Sequence, residues 1–387
     1  MNEGGVRVAF VVHERIWLGG LNYLRNLMAA MQSIPDNALT PVIVTGARAL
    51  ITPEQFPRIE MIRTTLLDRK SPAWFVRKVI ATTFRRDLLF ERFLLRNGIR
   101  VLSHSRHLGK QTSIVTIGWI PDFQHIHLPQ GFTQEQLRSQ SRSYEDTCAG
   151  CTKVIVSSEC ALKDLENLNS AWVQKAEVLR FVAAPAPLSA AAPLSELIRT
   201  YHFEPPYFLL PNQFWSHKNH RVVLAALRVL KEKNRPFLVL ATGPTKDDRN
   251  SSFFPLLMKY AEECGVTDLF RVLGPVPFPH LTGLMLHTIA IINPSKFEGW
   301  STTVEEAKSL GKVIILSDIP VHREQAPALG RYFDPDNPEQ LADLMTEAVD
   351  RYTPTVDFEN QEGTRKLFAE RQLDFGRVYE AIVKRAL

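Results

Sequence analysis

The sequence predicts two doubly wound α/β domains, each a parallel sheet covered by helices. The chain has 387 residues, which is enough for two buried cores of ordinary size. Short β-branched runs alternate with helical stretches, and this alternation restarts after a proline-rich segment. Hydrophobic residues make up 45% of the chain and charged residues 22%, a composition typical of globular domains.

The first half opens with a strand at Val6–Val12, a turn at Gly19-Gly20 and a helix over Leu21–Ile34. Apolar side chains at helical spacing predict the buried face of that helix: Leu24, Leu27, Met28 and Met31. Further strands are predicted at Val42–Thr45, Ile114–Trp119 and Val154–Ser157.

The segment Phe181–Pro206 is predicted to be an interdomain linker, because prolines are interspersed with small residues there: Pro185, Pro187, Pro193, Pro205 and Pro206. The predicted domains are 1–184 for the N-terminal half and 207–365 for the C-terminal half, with a linker at 185–206. Residues 366–387 form a predicted helix that docks on the N-terminal domain through an apolar stripe: Val378, Tyr379, Ile382, Val383 and Ala386.

The second half repeats the strand and helix pattern. Its predicted strands are Tyr207–Leu210, Phe237–Ala241, Arg271–Leu273, Ala290–Asn293 and Val313–Leu316. Its predicted helices are Lys218–Glu232, Ser251–Cys264, Thr302–Leu310 and Pro338–Val349. Ligands of such sheets bind beyond the carboxyl ends of the strands, so a ligand site is expected in the cleft between the domains.

The segment from Asn293 to Gly311 carries the chemistry. A strand ends at Asn293, and a helix opens near Ser301–Thr303, where three hydroxyl residues supply an N-cap and free backbone N–H groups form an anion site. Glu306 lies one turn into that helix, where its carboxylate can accept hydrogen bonds from a ribose diol. Glu298, on the loop ahead, can accept hydrogen bonds from sugar hydroxyls.

These two glutamates, with seven residues between them, match the paired-glutamate signature of retaining glycosyltransferases of the GT-B fold. The sequence resembles family four in particular. The matching flanks are Pro294-Ser295, Phe297-Glu298-Gly299, Glu306-Ala307, Gly311-Lys312-Val313 and Ser317-Asp318. The resemblance covers nearly the whole chain and is strongest from Pro211 to Glu324.

The resemblance implies a retaining, metal-independent transfer of a hexosyl or related unit to a hydroxyl acceptor in polysaccharide or glycan assembly. The donor is then a nucleoside-diphosphate sugar, UDP- or GDP-linked, and no further cofactor is expected. Glu306 is assigned to the ribose and Glu298 to the donor sugar and the charge that develops at its ring. Backbone amides that follow Glu298 are assigned to the sugar and the diphosphate: Gly299, Trp300, Ser301, Thr302 and Thr303.

Three further strand ends complete the predicted donor site. Lys218 is placed in the first turn of a helix, with its ammonium near the diphosphate, where it stabilises the leaving group. The family usually has an arginine five residues earlier, where this chain has Gln213. Val276 is a candidate contact for the base, and Gly243 permits close backbone approach. An ordinary turn remains the alternative for Val276.

In the N-terminal half, the resemblance assigns the loop with Gly19 and Gly20 to the donor phosphates or sugar. Asp122 and His125 follow the strand Ile114–Trp119 and are candidates for orienting acceptor or donor hydroxyls. A structural role for His125 is left open. His104 and His107 lie at another predicted strand end and have less support.

Charge is unevenly distributed, with a formal net charge of +7 in residues 1–185 and −2 in residues 186–387. The basic excess is densest from Arg58 to Arg100 and suits an anionic acceptor or an anionic membrane, with a solvated face as the alternative. No nucleic-acid-binding module accompanies it. The stretch Trp74–Arg96 is amphipathic and either lies on a membrane or packs on its own domain.

No apolar run is long enough to span a bilayer, and Val6–Val12 is too short for a signal peptide, so a cytoplasmic location, peripheral at the inner membrane face, is expected. Cys148 and Cys151, with Cys160 nearby, have no convincing fourth zinc ligand, which favours structural cysteines. Two alternatives remain: a nucleotide-sugar epimerase of the same architecture, and an inactive nucleotide-sugar-binding protein, which Gln213 motivates. A phosphorylase is disfavoured, because no lysine of this sequence has the context that binds pyridoxal phosphate in phosphorylases.

Overall fold

A computed structural model describes residues 5–13, 18–109, 111–183, 188–247 and 249–387. The described residues form two compact units. Unit 1 takes its residues from 1–125, 133–182 and 370–387, and unit 2 from 126–132 and 183–369. In the part of the chain that is described, no helix is both long enough and apolar enough to cross a bilayer.

Unit 1 is built on a parallel sheet whose described strands follow the order β3-β2-β1-β4-β5-β6-β7. The strands are β1 (Val6–Val11), β2 (Leu39–Gly46), β3 (Glu60–Thr64), β4 (Ile99–Ser103), β5 (Val115–Ile120), β6 (Lys153–Val156) and β7 (Ala176–Val178). The helices are α1 (Leu18–Gln32), α2 (Pro72–Phe84), α3 (Leu88–Arg96), α4 (Gln124–His127), α5 (Gln134–Gly150) and α6 (Glu159–Leu168). The predicted α/β class is confirmed for this unit.

The face predicted for α1 is buried in unit 1 (Leu24, Leu27, Met28 and Met31). The turn predicted at Gly19-Gly20 is wrong, because α1 already begins at Leu18 and both glycines lie in its first turn. Glycine is a poor helix former, but the first-turn N–H groups have no intrahelical partner in any case, so its cost at this end is small.

The amphipathic stretch Trp74–Arg96 is two helices, α2 and α3, separated at Arg85. Arg85 has a left-handed backbone with φ of 49°. Asp87 caps α3 by accepting from the Phe90 N–H, and its carboxylate also binds Arg77 of α2 at 2.6–3.0 Å. The break is therefore stabilised by one acidic side chain that serves both helices, which hydrophobic periodicity does not reveal.

Unit 2 is built on a second parallel sheet, in which the described strands follow the order β10-β9-β8-β11-β12-β13. The strands are β8 (Tyr207–Leu210), β9 (Leu238–Thr242), β10 (Phe270–Gly274), β11 (Ile291–Asn293), β12 (Ile314–Ser317) and β13 (Gly330–Phe333). The helices are α7 (Leu194–Tyr201), α8 (His220–Glu232), α9 (Phe253–Glu263), α10 (Phe278–His287), α11 (Thr302–Leu310), α12 (Pro320–Gln325), α13 (Pro338–Arg351) and α14 (Pro354–Ala386). The five strands predicted for this half all overlap observed ones.

Part of the predicted linker 185–206 is folded. Helix α7 lies inside it, and Leu197 of that helix is fully buried with Phe203 and Tyr207 in the core of unit 2. Proline is favoured at helix starts as well as in linkers, and Pro193 stands directly before α7. Residues 184–187, with Pro185 and Pro187, lie outside the described residues.

Helix α14 contributes residues to both units. Its residues up to 369 belong to unit 2, where Asp357 accepts two hydrogen bonds at 2.6 and 2.7 Å from the buried Lys312 ammonium. Its last turns belong to unit 1, where Tyr379 is buried 6.0 Å from the ring of Phe10 and Glu380 accepts from the Ala38 N–H. In the predicted stripe Val378 is exposed, because it falls outside this buried face.

Two glycines follow the ends of helices in unit 2, and comparing them distinguishes the cost of backbone strain from the cost of steric overlap. Gly311 and Gly265 have similar left-handed φ values, 64° and 66°. A Cβ at Gly311 would lie 2.4 Å from the Asn360 carbonyl oxygen, whereas a Cβ at Gly265 would meet nothing within 4 Å. We expect Gly265→Ala to lower the free energy of unfolding by about 1 kcal/mol and Gly311→Ala by about 2–4 kcal/mol.

Denaturant unfolding followed by tryptophan fluorescence measures both variants against the parent chain. Equal losses in the two variants would contradict the close approach of α14 to Gly311.

Candidate active site

The candidate site lies at the carboxyl ends of β8 and β11, which are neighbours in the sheet of unit 2. The chain continues from β8 toward β9 on one side and from β11 toward β12 on the other, so the strand order reverses between them. Loops that leave such a switch point diverge and leave a crevice for ligands. The loop after β8 carries Lys218, and the loop after β11 carries Glu298.

Lys218 and Glu298, eighty positions apart, form an ion pair in this crevice. The Lys218 Nζ lies 2.7 Å from the Glu298 Oε1, and the two side chains are only 14% and 10% exposed. Lys218 ends a short 3₁₀ turn, Ser216–Lys218, that precedes α8. The prediction that Lys218 lies in the first turn of α8 is therefore wrong, because the residue lies just before that helix. Asn219, with a left-handed backbone, separates the two.

The carboxylate of Glu298 is held ionised by its surroundings. Burial alone would raise its pKa, but the charge and hydrogen bond of Lys218, together with His322 and His217, more than offset this and hold the pKa below its ordinary value. Burial, reinforced by the charge of Lys218, lowers the pKa of His217 to about 3. The crevice thus holds an ion pair beside a neutral imidazole.

Helix α11 begins beside this pair with an uncapped N-terminus. Ser301 occupies the N-cap position, but its hydroxyl does not cap the helix; it accepts instead a 2.7 Å hydrogen bond from the Asn293 amide. The first intrahelical bond joins the Glu305 N–H to the Ser301 carbonyl. The N–H groups of Thr302, Thr303 and Val304 therefore have no intrahelical acceptor, which leaves the positive end of the helix open to an anion.

Gln325 holds the start of α11 in place, and no sequence pattern indicated this role. Its amide oxygen accepts from the Ser301 N–H at 3.1 Å, while its amide nitrogen donates at 3.0 Å to the Ser301 carbonyl and to Glu305. On the other side, Asn212 donates to Asn293, and the Thr303 hydroxyl donates to Asn212. This buried network holds the helix end rigidly.

Glu306 is a buried acid of the site without a partner among the described residues. Its side chain is buried, with 7% exposure, and it forms no hydrogen bond or ion pair with any described residue. Burial raises its pKa to about 8. Its neighbour Glu305 is also buried, but that carboxylate is bound by Lys308 and Gln325. An unpaired buried carboxyl group is costly, and a ligand with hydroxyl donors would satisfy it.

The other predicted donor residues surround the same strand ends. Gly243 follows β9 with φ of 126°, and a Cβ there would lie 2.8 Å from the Asn212 carbonyl oxygen, next to Gln213. Val276 is half-buried and packs against the core, and Trp300 is buried. Gly299 lies in the loop before α11. The ligand contacts assigned to these residues stay predictions.

Asp122 and His125 lie in unit 1, where both have structural surroundings. The Asp122 carboxylate accepts from the Gln124 N–H at 2.9 Å at the start of α4. The His125 ring is buried, edge-on to Tyr144 at 5.2 Å. Their assignment to substrate hydroxyls stays a prediction, as does that of Gly19 and Gly20.

Two residues of the site were missed by sequence reasoning. His127, in the segment of the N-terminal half that belongs to unit 2, stacks on Phe297, directly before Glu298, with ring centroids 5.1 Å apart. The guanidinium of Arg249 lies 4.9 Å from the ring of Trp215, in the loop that carries Lys218. Neither His127 nor Arg249 belongs to a sequence motif, because tertiary packing alone places these residues at the site.

Among the described residues, neither the cysteines nor a metal-binding cluster forms a second candidate active site. Cys148 and Cys151 are buried free thiols, and burial raises their pKa to about 12 and about 11. Across the ranges that the structure describes, no group of three His, Cys, Asp or Glu side chains is arranged to hold a metal ion.

Comparison with known proteins agrees with this geometry. Residues 200–362 match the family model described as Glycosyl transferases group 1. The O-antigen chain mannosyltransferase RfbU of Salmonella typhimurium is 27% identical over 164 residues, which are 40% of this chain and 44% of RfbU, so the match spans less than half of that relative.

Solved structures share the fold over nearly the full chain. A glycosyltransferase from Rickettsia africae superposes with a TM-score of 0.66 at 17% identity, covering 98% of this chain and 99% of that one. Alr3699/HepE from Anabaena, in complex with UDP and glucose, superposes with a TM-score of 0.68 at 12% identity, with the same coverage. The chain therefore has the GT-B fold, and its residues 200–362 are similar to the group 1 glycosyl transferases.

Proposed function

We propose that this protein transfers a sugar, with retention of configuration, from a nucleoside-diphosphate sugar to a hydroxyl acceptor. The observation that supports this best is the arrangement at α11. An open helix N-terminus lies in a crevice with the Lys218–Glu298 ion pair, and the unpaired Glu306 is one turn further on. Along the chain, Glu298, the N-terminus of α11 and Glu306 match a sugar, a diphosphate and a ribose diol, which is the order of these groups in a nucleotide sugar.

In this proposal the diphosphate binds the free N–H groups of Thr302, Thr303 and Val304, and Glu306 accepts from the ribose hydroxyls. Lys218 stabilises the negative charge that accumulates on the leaving diphosphate, so the chain itself supplies the electrostatic stabilisation that a metal ion gives elsewhere. Glu298 supports the positive charge at the donor ring. Metal independence is part of the proposal.

Retention is proposed to follow from attack on the same face that the diphosphate leaves. The departing phosphate oxygen then accepts the proton of the acceptor hydroxyl, so neither a covalent nucleophile nor a separate base is required. The work of the site is positioning and charge stabilisation.

The donor is proposed to be UDP- or GDP-linked and the product a polysaccharide or glycan. Alr3699/HepE was solved with UDP and glucose, and RfbU is a mannosyltransferase of an O-antigen chain, so the two relatives point to different sugars. A thermal-shift screen of UDP-, GDP- and dTDP-sugars selects the donor, and NMR of the product anomer then tests retention. Epimerised donor, or tight donor binding without transfer or hydrolysis, would overturn the proposal.

Glu306→Gln is expected to change stability and donor binding in opposite directions. A folded-state pKa of about 8 means that the protonated form is preferred on folding; the associated stability is complete below about pH 4.5 and is lost as pH rises through 8. The variant should therefore melt several degrees above the parent at pH 9 and at the same temperature at pH 4.5. At pH 9, where the parent carboxylate is ionised, the donor Kd of the variant should be about tenfold higher, because one charged acceptor is lost.

Differential scanning calorimetry and donor titration by calorimetry measure the two effects. The exposed Glu262→Gln is the matched control and should change neither. A Glu306 variant that melts below the parent at pH 9 would show that the carboxylate is satisfied in the free protein.

Lys218→Met is expected to reduce kcat by about 10²–10³-fold with a smaller effect on the donor Kd, since its charge matters most as the diphosphate leaves. Lys218→Arg keeps the charge and should recover part of the rate. Lys233→Met, which removes an exposed lysine paired with Asp343 in the same unit, should leave the rate unchanged. Steady-state kinetics at saturating donor decides this, and an unaltered kcat in Lys218→Met would remove the assignment.

We also propose that unit 1 contacts an anionic membrane through α2. Phe75, Val76 and Val79 lie on one face of that helix and are more than half exposed, as is Phe84 at its end. Exposed basic residues without an ion pair among the described residues flank both ends of the helix: Arg69, Lys70 and Arg85. An apolar face between basic ends is typical of a helix lying in a membrane interface.

The pair Phe75→Ser and Phe84→Ser is expected to reduce binding to vesicles of phosphatidylglycerol and phosphatidylcholine by about tenfold or more, because about two aromatic side chains leave the interface. Phe358→Ser, equally exposed but in unit 2, is the control. Cosedimentation measures binding. Equal loss in the control, or equal binding of the parent to uncharged vesicles, would contradict the proposal.

A further inference from the structure

Unit 1 has a cavity of about 590 Å³ at its own switch point. The strand order reverses between β1 and β4, and the cavity is lined by residues that follow these strands, His13 after β1 and His104 to Leu108 after β4. Helices α2 and α5 complete its wall. The volume suits a small ligand, and the position is where ligands of doubly wound sheets bind.

The cavity has an excess of positive charge that its own residues do not neutralise. Arg77 is bound on two nitrogens by Asp87, which is the one carboxylate among the described lining residues. Lys78 and Arg106 also line the cavity, and neither forms a hydrogen bond or ion pair through its side chain with a described residue. Two unpaired cations therefore remain in one concave site.

The charges of these cations act on one lining residue, His13. Burial lowers the pKa of His13, and the charges of Arg77, Lys78 and Arg106 lower it further, so all three lie close enough to act on one imidazole. Charges that only keep a protein soluble are usually spread over its surface with both signs mixed. Here positive charges without a matching carboxylate line one cavity, and the resulting positive potential favours binding of an anion.

The remaining lining indicates a carbohydrate beside that anion. Trp74, Trp119, Ser105 and Ser143 also line this cavity. Aromatic faces pack against the C–H faces of a sugar ring, while serine hydroxyls exchange hydrogen bonds with its hydroxyl groups. Two uncompensated positive charges match the two negative charges of a phosphate monoester or of a diphosphate diester.

We propose that this cavity binds a phosphorylated carbohydrate, with the phosphate between Lys78 and Arg106 and the sugar against Trp74. The identification of this molecule as the acceptor rests on the proposed glycosyl transfer. The proposal of a phosphate site in the cavity does not rest on it. The phosphate belongs either to a sugar phosphate or to a lipid-linked sugar diphosphate, and both present the same group to the two cations.

Isothermal titration of the full chain with glucose 6-phosphate, glucose and farnesyl diphosphate in detergent tests the site. We expect the phosphates to bind at least about tenfold more tightly than glucose. Binding of glucose 6-phosphate alone identifies a soluble source, and binding of farnesyl diphosphate alone a lipid source. Binding of neither, or equal binding of glucose, overturns the proposal.

Variants assign the phosphate to this cavity and not to α11. Lys78→Met with Arg106→Met should weaken phosphate binding at least about tenfold. Arg106→Lys, which retains the charge, should weaken it less, and Lys163→Met, an exposed lysine elsewhere in unit 1, should not change it. If Lys218→Met abolishes binding while the double variant keeps it, the phosphate lies at α11 and the inference fails.

Donor binding separates this inference from the proposed function. The Lys78 and Arg106 double variant should keep the donor-induced thermal shift of the parent, which also shows that it is folded. Glu306→Gln should lose donor affinity and keep phosphate binding. If the phosphate site is confirmed but no donor binds, only the glycosyl-transfer proposal fails.

Discussion

Parallel pairing of the strands is the constraint on which the rest of the structure depends. Every strand of a parallel sheet ends at the same edge, and the next strand is reached by a helix that crosses one face. Where the order reverses, as between β8 and β11, two loops are brought together without having to cover each other. Lys218 and Glu298 meet across eighty positions for this reason, and no local preference of either loop is needed.

Three glutamates of the α11 region show how burial is resolved in different ways. Glu298 is matched by Lys218, and Glu305 is matched by Lys308 and Gln325. Glu306 has no such partner among the described residues, and the raised pKa of its carboxyl is the consequence. A side chain that served only the fold would be replaced by an apolar one of similar size. Retaining an unpaired acid beside an open helix end is understandable if a ligand supplies the missing donors.

The sequence was most informative where local chemistry repeats at fixed spacing. Five of the six described strands of unit 2, the helix over Thr302–Leu310 and the two glutamates at and near its start were predicted from residue patterns. It failed where a residue type has two uses: Gly19 and Gly20 are helical, and Pro193 begins a helix inside the predicted linker. Contacts made only by tertiary packing, such as Gln325 on Ser301, had no pattern to detect.

Part of the basic excess of the N-terminal half is neutralised by ion pairs. Arg77 and Arg86 are bound by Asp87 and Glu91, so these charges serve the fold of α2 and α3.

Five of the cations that remain unpaired among the described residues lie on α2 or close to it in sequence or around the cavity. Arg69, Lys70 and Arg85 lie at the exposed ends of the helix, while Lys78 and Arg106 line the cavity. Here one side of α2 is apolar and exposed and another side borders a concave cationic site. This division is expected of a helix that lies between an anionic surface and an anionic ligand, and it follows from side-chain periodicity alone.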